Sequence, residues 1–252
     1  ITLVFDSASR WLAHGEVFRD LGSASLDRVA GHDLARWMPA NPTLRVCDIA
    51  AVVAEAKRHD LIVVFDNTFA SPALQNPIAL GVDLVVHSTT KYISGHSDVL
   101  GGCVVSANDD MAHTIYEWNK AYGATPSPFD CWLSLRGLRT LSVRMERHCA
   151  NAQRVAEALV GHHEVAKRQM NGGFGGMLAV EFHDEATARR VAEGTQVFRL
   201  AESLGGVESL IAYPPLMSHA TMTEAQRVER GILPTMLRLS VGIEDADDLI
   251  ED

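Results

Sequence analysis

The 252-residue sequence predicts an α/β protein, with a first lobe built on a mostly parallel sheet and a smaller α+β lobe after it. Three observations carry that expectation. Residues 60–68 (DLIVVFDNT) hold an unbroken apolar run that ends in a carboxylate, as a strand covered on both faces of a parallel sheet does. Residues 85–92 (VVHSTTKY) repeat the pattern, an apolar stretch now delivering two hydroxyls and an amine. Between them, residues 71–81 (SPALQNPIALG) leave room for one short helix, so Asp66 and Lys91 should both emerge at the carboxyl ends of their strands, the edge where open α/β sheets bind ligands.

The remaining elements follow in order. Residues 47–59 (CDIAAVVAEAKRH) place apolar side chains at helical spacing and follow Asn41 and Pro42, a natural context for helix initiation. Residues 100–106 (LGGCVVS) read as a further strand. Pro126 and Pro128 introduce a long helical pattern over 129–159, with Arg and Leu at spacings of three and four. The boundary between lobes is placed inside that pattern, near Ser142, which divides the chain into domains 1–142 and 143–252. The second lobe alternates strand (177–182), helix (185–193) and strand (237–242). The glycines of 172–176 (GGFGG) look superficially like a nucleotide-binding loop, but they enter a strand instead of leaving one for a helix, so a flexible strand entry is expected.

Composition narrows the function classes. A formal charge of −10 argues against a nucleic-acid footprint. No apolar run reaches the roughly 20 residues that a membrane span requires, and the first residues carry no signal-peptide pattern. Cys47, Cys103, Cys131 and Cys149 show no CxxC spacing, so free buried thiols in a reducing cytoplasm are expected. The histidines form no metal-ligand pattern, and His162 with His163 reads as a solvated loop pair.

Lys91 is the most informative single residue, since the other lysines are only Lys57, Lys120 and Lys167. An amine at the end of an apolar strand, with Ser88 and Thr90 just before it, is what an enzyme needs to hold an aldehyde cofactor covalently and its phosphate alongside. Asp66 can pair with a protonated pyridine nitrogen and so keep the ring electron-withdrawing. Taken alone, such a lysine is more often a strand-capping surface residue and such an aspartate a helix N-cap.

These residues sit in a larger set of blocks: 66–69 (DNTF), Ser71 with Pro72, Asn76 with Pro77, 79–81 (ALG), 87–99 (HSTTKYISGHSDV), 126–131 (PSPFDC), 136–141 (RGLRTL), 144–148 (RMERH), 201–210 (AESLGGVESL) and 237–244 (LRLSVGIE). From about residue 39 to the end, the chain resembles the Cys/Met-metabolism, or trans-sulfuration, family of pyridoxal-phosphate (PLP) enzymes. Its members include cystathionine γ-lyase, cystathionine γ-synthase, methionine γ-lyase and cystathionine β-lyase. The resemblance implies a fold-type I PLP-dependent transferase, similar to aspartate aminotransferase.

Residue by residue, the resemblance implies that Lys91 binds PLP and then shuttles protons, a task suited to a desolvated amine of lowered pKa. Asp66 would hold the pyridinium, Ser88 and Thr90 the phosphate, Asn41 the ring's phenolic oxygen, and Thr68 would lie under the ring. Arg238 would clamp the substrate α-carboxylate with its planar fork, and Ser203 would help seat that carboxylate and the lysine. Glu202 would set specificity, because a carboxylate there can attract the distal ammonium of cystathionine.

The implied reaction is γ-lyase-like cleavage of cystathionine to cysteine, 2-oxobutanoate and ammonia. The alternatives are γ-synthase chemistry on an O-acylhomoserine with cysteine, then methionine γ-lyase or cystathionine β-lyase, then a catalytically silent paralogue acting as a scaffold. A cytoplasmic homotetramer, built from dimers that share active sites, is also implied. The family places a Tyr-x-Arg arm, a Ser-Gly-Met phosphate loop and a stacking tyrosine ahead of this point, and residues 1–40 contain none of the three. Trp37 and Met38 stand where the family usually has an acidic residue and then Ser or Thr. The step from 163–165 to 166–170 is shorter than the family's connection. The large lobe is therefore expected to lack its amino-terminal part.

Overall fold

The computed structural model describes residues 2–5, 11–12, 41–44, 46–59, 61–159 and 172–252. Its first sheet has the strands β1 (Thr2–Phe5), β2 (Trp11–Leu12), β3 (Ile62–Asp66), β4 (Leu84–Ser88) and β5 (Gly102–Ser106), in the order β2-β1-β3-β4-β5. The pair that carries the motifs, β3 and β4, is parallel, with Asp66 opposite Val86. Its flanking strands β1 and β5 run antiparallel to it, so the described part of the sheet is mixed. The reason on the β5 side is the connection. After β4 the chain makes one wide turn, Thr89–Ile93, and folds back to pair Ser88 with Gly102, without the helical crossover that a parallel neighbour requires.

Helix α1 (Ile49–Arg58) starts where Asp48 accepts the Ala51 N–H at 3.1 Å and carries Lys57 and Arg58 in its last turn, both favourable to the helix dipole. Its buried face, Ile49, Val53 and Ala56, packs on Val63, Phe65 and Val85 of β3 and β4. The link between those strands is a short helix, α2 (Ser71–Leu74), and a 3-10 turn (Pro77–Leu80).

After β5 comes α3 (Asp109–Tyr122), none of whose residues is buried. The helical pattern over 129–159 is realised as two helices, α4 (Pro128–Leu138) and α5 (Leu141–Leu159). The break falls at Arg139 and Thr140, where the Thr140 N–H turns to the Gly137 carbonyl at 3.1 Å.

The second sheet comprises β6 (Met177–Glu181), β7 (Arg199–Leu200), β8 (Leu210–Ala212) and β9 (Met236–Ser240), ordered β6-β9-β8-β7. All five residues of β9 are buried. The helices α6 (Glu185–Gly194), α7 (Glu224–Glu229) and α8 (Ala246–Glu251) accompany this sheet. The glycines before Met177 do lead into β6.

Helix α5 joins the two halves, with the expected boundary at Ser142 in its first turn. Ala152 and Val155 belong to the core under the second sheet, with Phe198, Ile211 and Leu237. Leu141, Met145 and Cys149 instead pack with Ala70, Leu74, Tyr92, Met177 and Leu204. That second cluster reaches the residue next to Lys91, since it includes the fully buried Tyr92. None of the four cysteines forms a disulfide; Cys47 and Cys149 are buried as expected, whereas Cys131 is exposed. Among the described residues no helix is long and apolar enough to cross a membrane. Trp37, Met38, the His162 and His163 pair and the short step after it lie outside the described residues.

Candidate active site

The carboxyl edge of the parallel pair is tied together by backbone donors. Asp66 ends β3, and its Oδ1 accepts the Thr68 N–H at 2.9 Å. The Thr68 hydroxyl oxygen accepts the Ser88 N–H from the end of β4 at 2.8 Å. Asn67, buried between them, locks the turn from behind: its Nδ2 donates to the Ser71 and Gln75 carbonyls at 3.1 and 3.0 Å, and its Oδ1 accepts from Gln75 Nε2 at 2.8 Å. Asp66, Thr68 and Ser88 therefore form one rigid edge.

Lys91 follows three residues on, in the middle of the wide turn. Its backbone leaves helical values (φ −90°, ψ −132°) while the turn closes around it, the Ser94 N–H reaching the Thr89 carbonyl at 2.9 Å and the Gly95 N–H reaching the Lys91 carbonyl at 2.8 Å. The amine is half-buried, and its Nζ donates to Ser203 Oγ at 3.4 Å. Burial lowers its pKa from the ordinary lysine range, and the charge of Arg238 lowers it further. Thr90 braces the turn: its hydroxyl donates to the Gly101 carbonyl at 3.2 Å and accepts the Gly101 N–H at 2.9 Å. From above, Gly205 (φ +76°) lies so close that a Cβ there would stand 2.9 Å from the Tyr92 nitrogen and 3.2 Å from the Lys91 carbonyl carbon, so only glycine lets the 201–206 loop settle on the lysine.

Arg238, on β9, is 2% exposed. Its Nη1 donates to Asn41 Oδ1 at 2.8 Å, and its Nη2 donates to the Glu202 and Ser203 carbonyls at 2.5 and 3.1 Å. Its Nε is buried without a hydrogen-bond partner. Burial lowers the guanidinium's pKa, opposed by the negative charge of Glu202. One continuous set of contacts thus runs from Lys91 through Ser203 to Arg238 and Asn41.

Two expected site residues stand differently. The Glu202 side chain is exposed, and it is its backbone carbonyl that Arg238 holds. The Thr90 hydroxyl is committed to Gly101 in this structure.

Three residues near the site escape the sequence reading. His219 sits close enough to Asn41 and Arg238 that burial and the arginine's charge both lower its pKa, while its Nδ1 meets Ser218 Oγ at 2.8 Å. Tyr92 stands edge-on to His148, ring centres 5.2 Å apart at 79°. Arg144, 4% exposed, bonds the backbone just beyond Lys91. A signal for Arg144 exists in the sequence: it falls on the stripe of α5 defined by Leu141, Met145, His148, Ala152 and Val155, where a charge must be buried.

Chemically, the edge offers an amine of lowered pKa for an aldehyde, a carboxylate for a pyridinium, hydroxyls for a phosphate, and a buried guanidinium with an unpartnered Nε for a carboxylate. That donor set fits PLP together with an amino acid.

Comparison with known proteins agrees. A family model described as "Cys/Met metabolism PLP-dependent enzyme" matches residues 37–252. The chain is 46% identical over 230 residues to a cystathionine beta-lyase of Lactococcus lactis subsp. cremoris, covering 85% of this chain and 60% of the relative. It is 45% identical over 231 residues to a cystathionine gamma-lyase of Dictyostelium discoideum, covering 85% and 59%. The crystal structure of cystathionine gamma synthase from Xanthomonas oryzae pv. oryzae, in complex with aminoacrylate and cysteine, superposes with a TM-score of 0.81 at 48% identity, covering 85% of this chain and 59% of that one. The chain thus spans about 60% of the length of the curated relatives it matches. With most of its length matched in this way, the chain belongs to the Cys/Met-metabolism family of PLP-dependent enzymes.

Proposed function

We propose that this chain carries the catalytic core of a trans-sulfuration enzyme with cystathionine γ-lyase-like activity, cleaving L-cystathionine to cysteine, 2-oxobutanoate and ammonia. The observation that carries the reading is the contact of Lys91 Nζ with Ser203, whose carbonyl is held by the buried Arg238. A proton-transferring amine and a carboxylate-binding guanidinium are thereby a single residue apart.

When bound, PLP supplies an electron sink for charge that develops on the substrate carbons next to its amino group. Lys91 anchors the cofactor, and its Nζ then takes and returns protons, a role that suits an amine already moved toward neutrality by burial. Asp66, whose orientation is fixed by the Thr68 N–H, would hold the proton on the pyridine nitrogen, with Thr68 placed to support the ring. Ser88 would bind the phosphate, joined by Thr90 once its hydroxyl proton turns from the Gly101 carbonyl. Arg238 already engages Asn41 through Oδ1, which leaves the Asn41 Nδ2 as the group that would donate to the cofactor's phenolic oxygen. The unpartnered Nε of Arg238 and its fork receive the α-carboxylate. Glu202 meets the distal ammonium from an exposed position.

Incubating the full chain and PLP with cystathionine and assaying 2-oxobutanoate tests the reading; turnover of methionine with none of cystathionine defeats it. A second reading, γ-replacement, is favoured by the 48% identity to a γ-synthase structure. It requires product from O-succinylhomoserine plus cysteine and little keto acid from cystathionine. The working form is a cytoplasmic homotetramer with the domains divided near Ser142; a stable monomer in light scattering contradicts that assembly.

A further inference from the structure

The carbonyls that follow Lys91 have lost their ordinary partners. Because Lys91 departs from helical geometry, Tyr92 and Ile93 end a turn that does not continue, and such carbonyls need donors from elsewhere. The donor is Arg144. Its Nη1 bonds the Tyr92 carbonyl at 2.7 Å and its Nη2 bonds the Ile93 and Gly137 carbonyls at 3.2 and 2.7 Å. Its Nε bonds Thr140 Oγ1 at 3.0 Å, which orients the fork. All four acceptors are neutral, so a buried cation is spent on shaping backbone. The packing around the fork is close. A Cβ at Gly95 (φ +72°) would collide with Arg144 Nη1, and one at Gly137 would collide with the Ser94 carbonyl.

We infer that Arg144 is a positioning residue for Lys91, holding the turn open at the one residue whose amine must reach Ser203. The Lys91–Ser203 contact is already long at 3.4 Å, so a small relaxation of the turn toward ordinary helix breaks it. Lysine cannot replace Arg144, since a point-like ammonium lacks the planar fork that serves three carbonyls and a hydroxyl at once.

The inference rests on the reading that Lys91 anchors PLP, and one experiment separates the two. Full-chain wild type, Arg144→Lys and Thr140→Val are mixed with PLP and reduced with borohydride across a range of pH. The pyridoxyl label on Lys91 is then followed by peptide mass spectrometry. The expected result is about tenfold slower labelling in Arg144→Lys, as for a reacting group misplaced by a fraction of an ångström, with its pH midpoint moved upward as the amine returns toward solvent. Thr140→Val, which keeps the arginine but frees one edge, moves the same way by less, and decides the matter if Arg144→Lys does not fold. Wild type without label defeats the parent reading and this one with it. Labelled wild type with both variants unchanged in rate and midpoint overturns the role of Arg144 alone.

Discussion

Arg238 Nη1 donates to Asn41 Oδ1 at 2.8 Å across 197 positions of sequence. One guanidinium thus fixes the asparagine that is to face the cofactor and the loop that carries Ser203. Arg238→Lys keeps the charge but cannot reach Asn41, Glu202 and Ser203 together. Under the proposed reaction, kcat/KM for cystathionine should fall about 100-fold, equivalent to about 2.7 kcal/mol of lost transition-state binding. Steady-state kinetics check this, and an unchanged kcat/KM removes Arg238 from substrate binding.

Thr68→Val keeps the shape of the strand edge but deletes the acceptor of the Ser88 N–H. An amide left without its partner at a part-buried position should cost about 1–3 kcal/mol, read as a lower urea midpoint. PLP affinity should weaken as well, because Ser88 loses the contact that aligns it with Asp66. A variant with wild-type midpoint and affinity shows that the Asp66, Thr68 and Ser88 edge is not coupled.

Stability should fall as pH drops below about 6.5. Burial, followed by the charge of Arg144, holds the pKa of His148 below its ordinary value of 6.5, while its Nδ1–H bonds the Val241 carbonyl at 2.7 Å and Glu244 and Glu208 oppose the shift. The unfolded chain therefore takes up the proton first. The stabilisation is complete above the unfolded pKa and is lost as pH falls toward the folded one, by about 1.4 kcal/mol per pH unit for one such group. His148→Asn retains a donor for Val241 without a titrating ring, so its urea midpoint should vary less between pH 5 and pH 7. Equal pH dependence in both proteins contradicts the assignment.

Glu202 should tune affinity gently. Its carboxylate is exposed, so its pairing with a distal ammonium is screened and is worth at most about 1 kcal/mol. Glu202→Gln should raise KM for cystathionine about 2- to 5-fold with kcat nearly constant. A loss of 100-fold would mean that the loop closes over the substrate and buries the pair.

The parts of this site that can be read from sequence are local. An unbroken apolar run reveals β3 and β4, and the residues just past each run, Asp66, Ser88 and Lys91, fall at the sheet edge by strand geometry alone. Asn41 meeting Arg238 is a tertiary event to which no periodicity points. Helix α3 does carry an apolar stripe at helical spacing, Met111, Ile115, Trp118 and Tyr122, although none of its residues is buried. The pause between α4 and α5 occurs at Arg139 and Thr140, neither of which breaks helices by composition. Antiparallel pairing of β5 depends on the shape of the turn around Lys91, which no residue type announces. Arg144 hides for another reason: a charged residue in an Arg-rich helix reads as a solvated face until its neighbours on the stripe are seen to be buried.

The most direct test of the account is the site of covalent attachment. Borohydride reduction of the full chain saturated with PLP, followed by peptide mapping, should place a single pyridoxyl group on Lys91, and Lys91→Ala should carry none. A label on Lys57, Lys120 or Lys167, or no label on wild type, contradicts it.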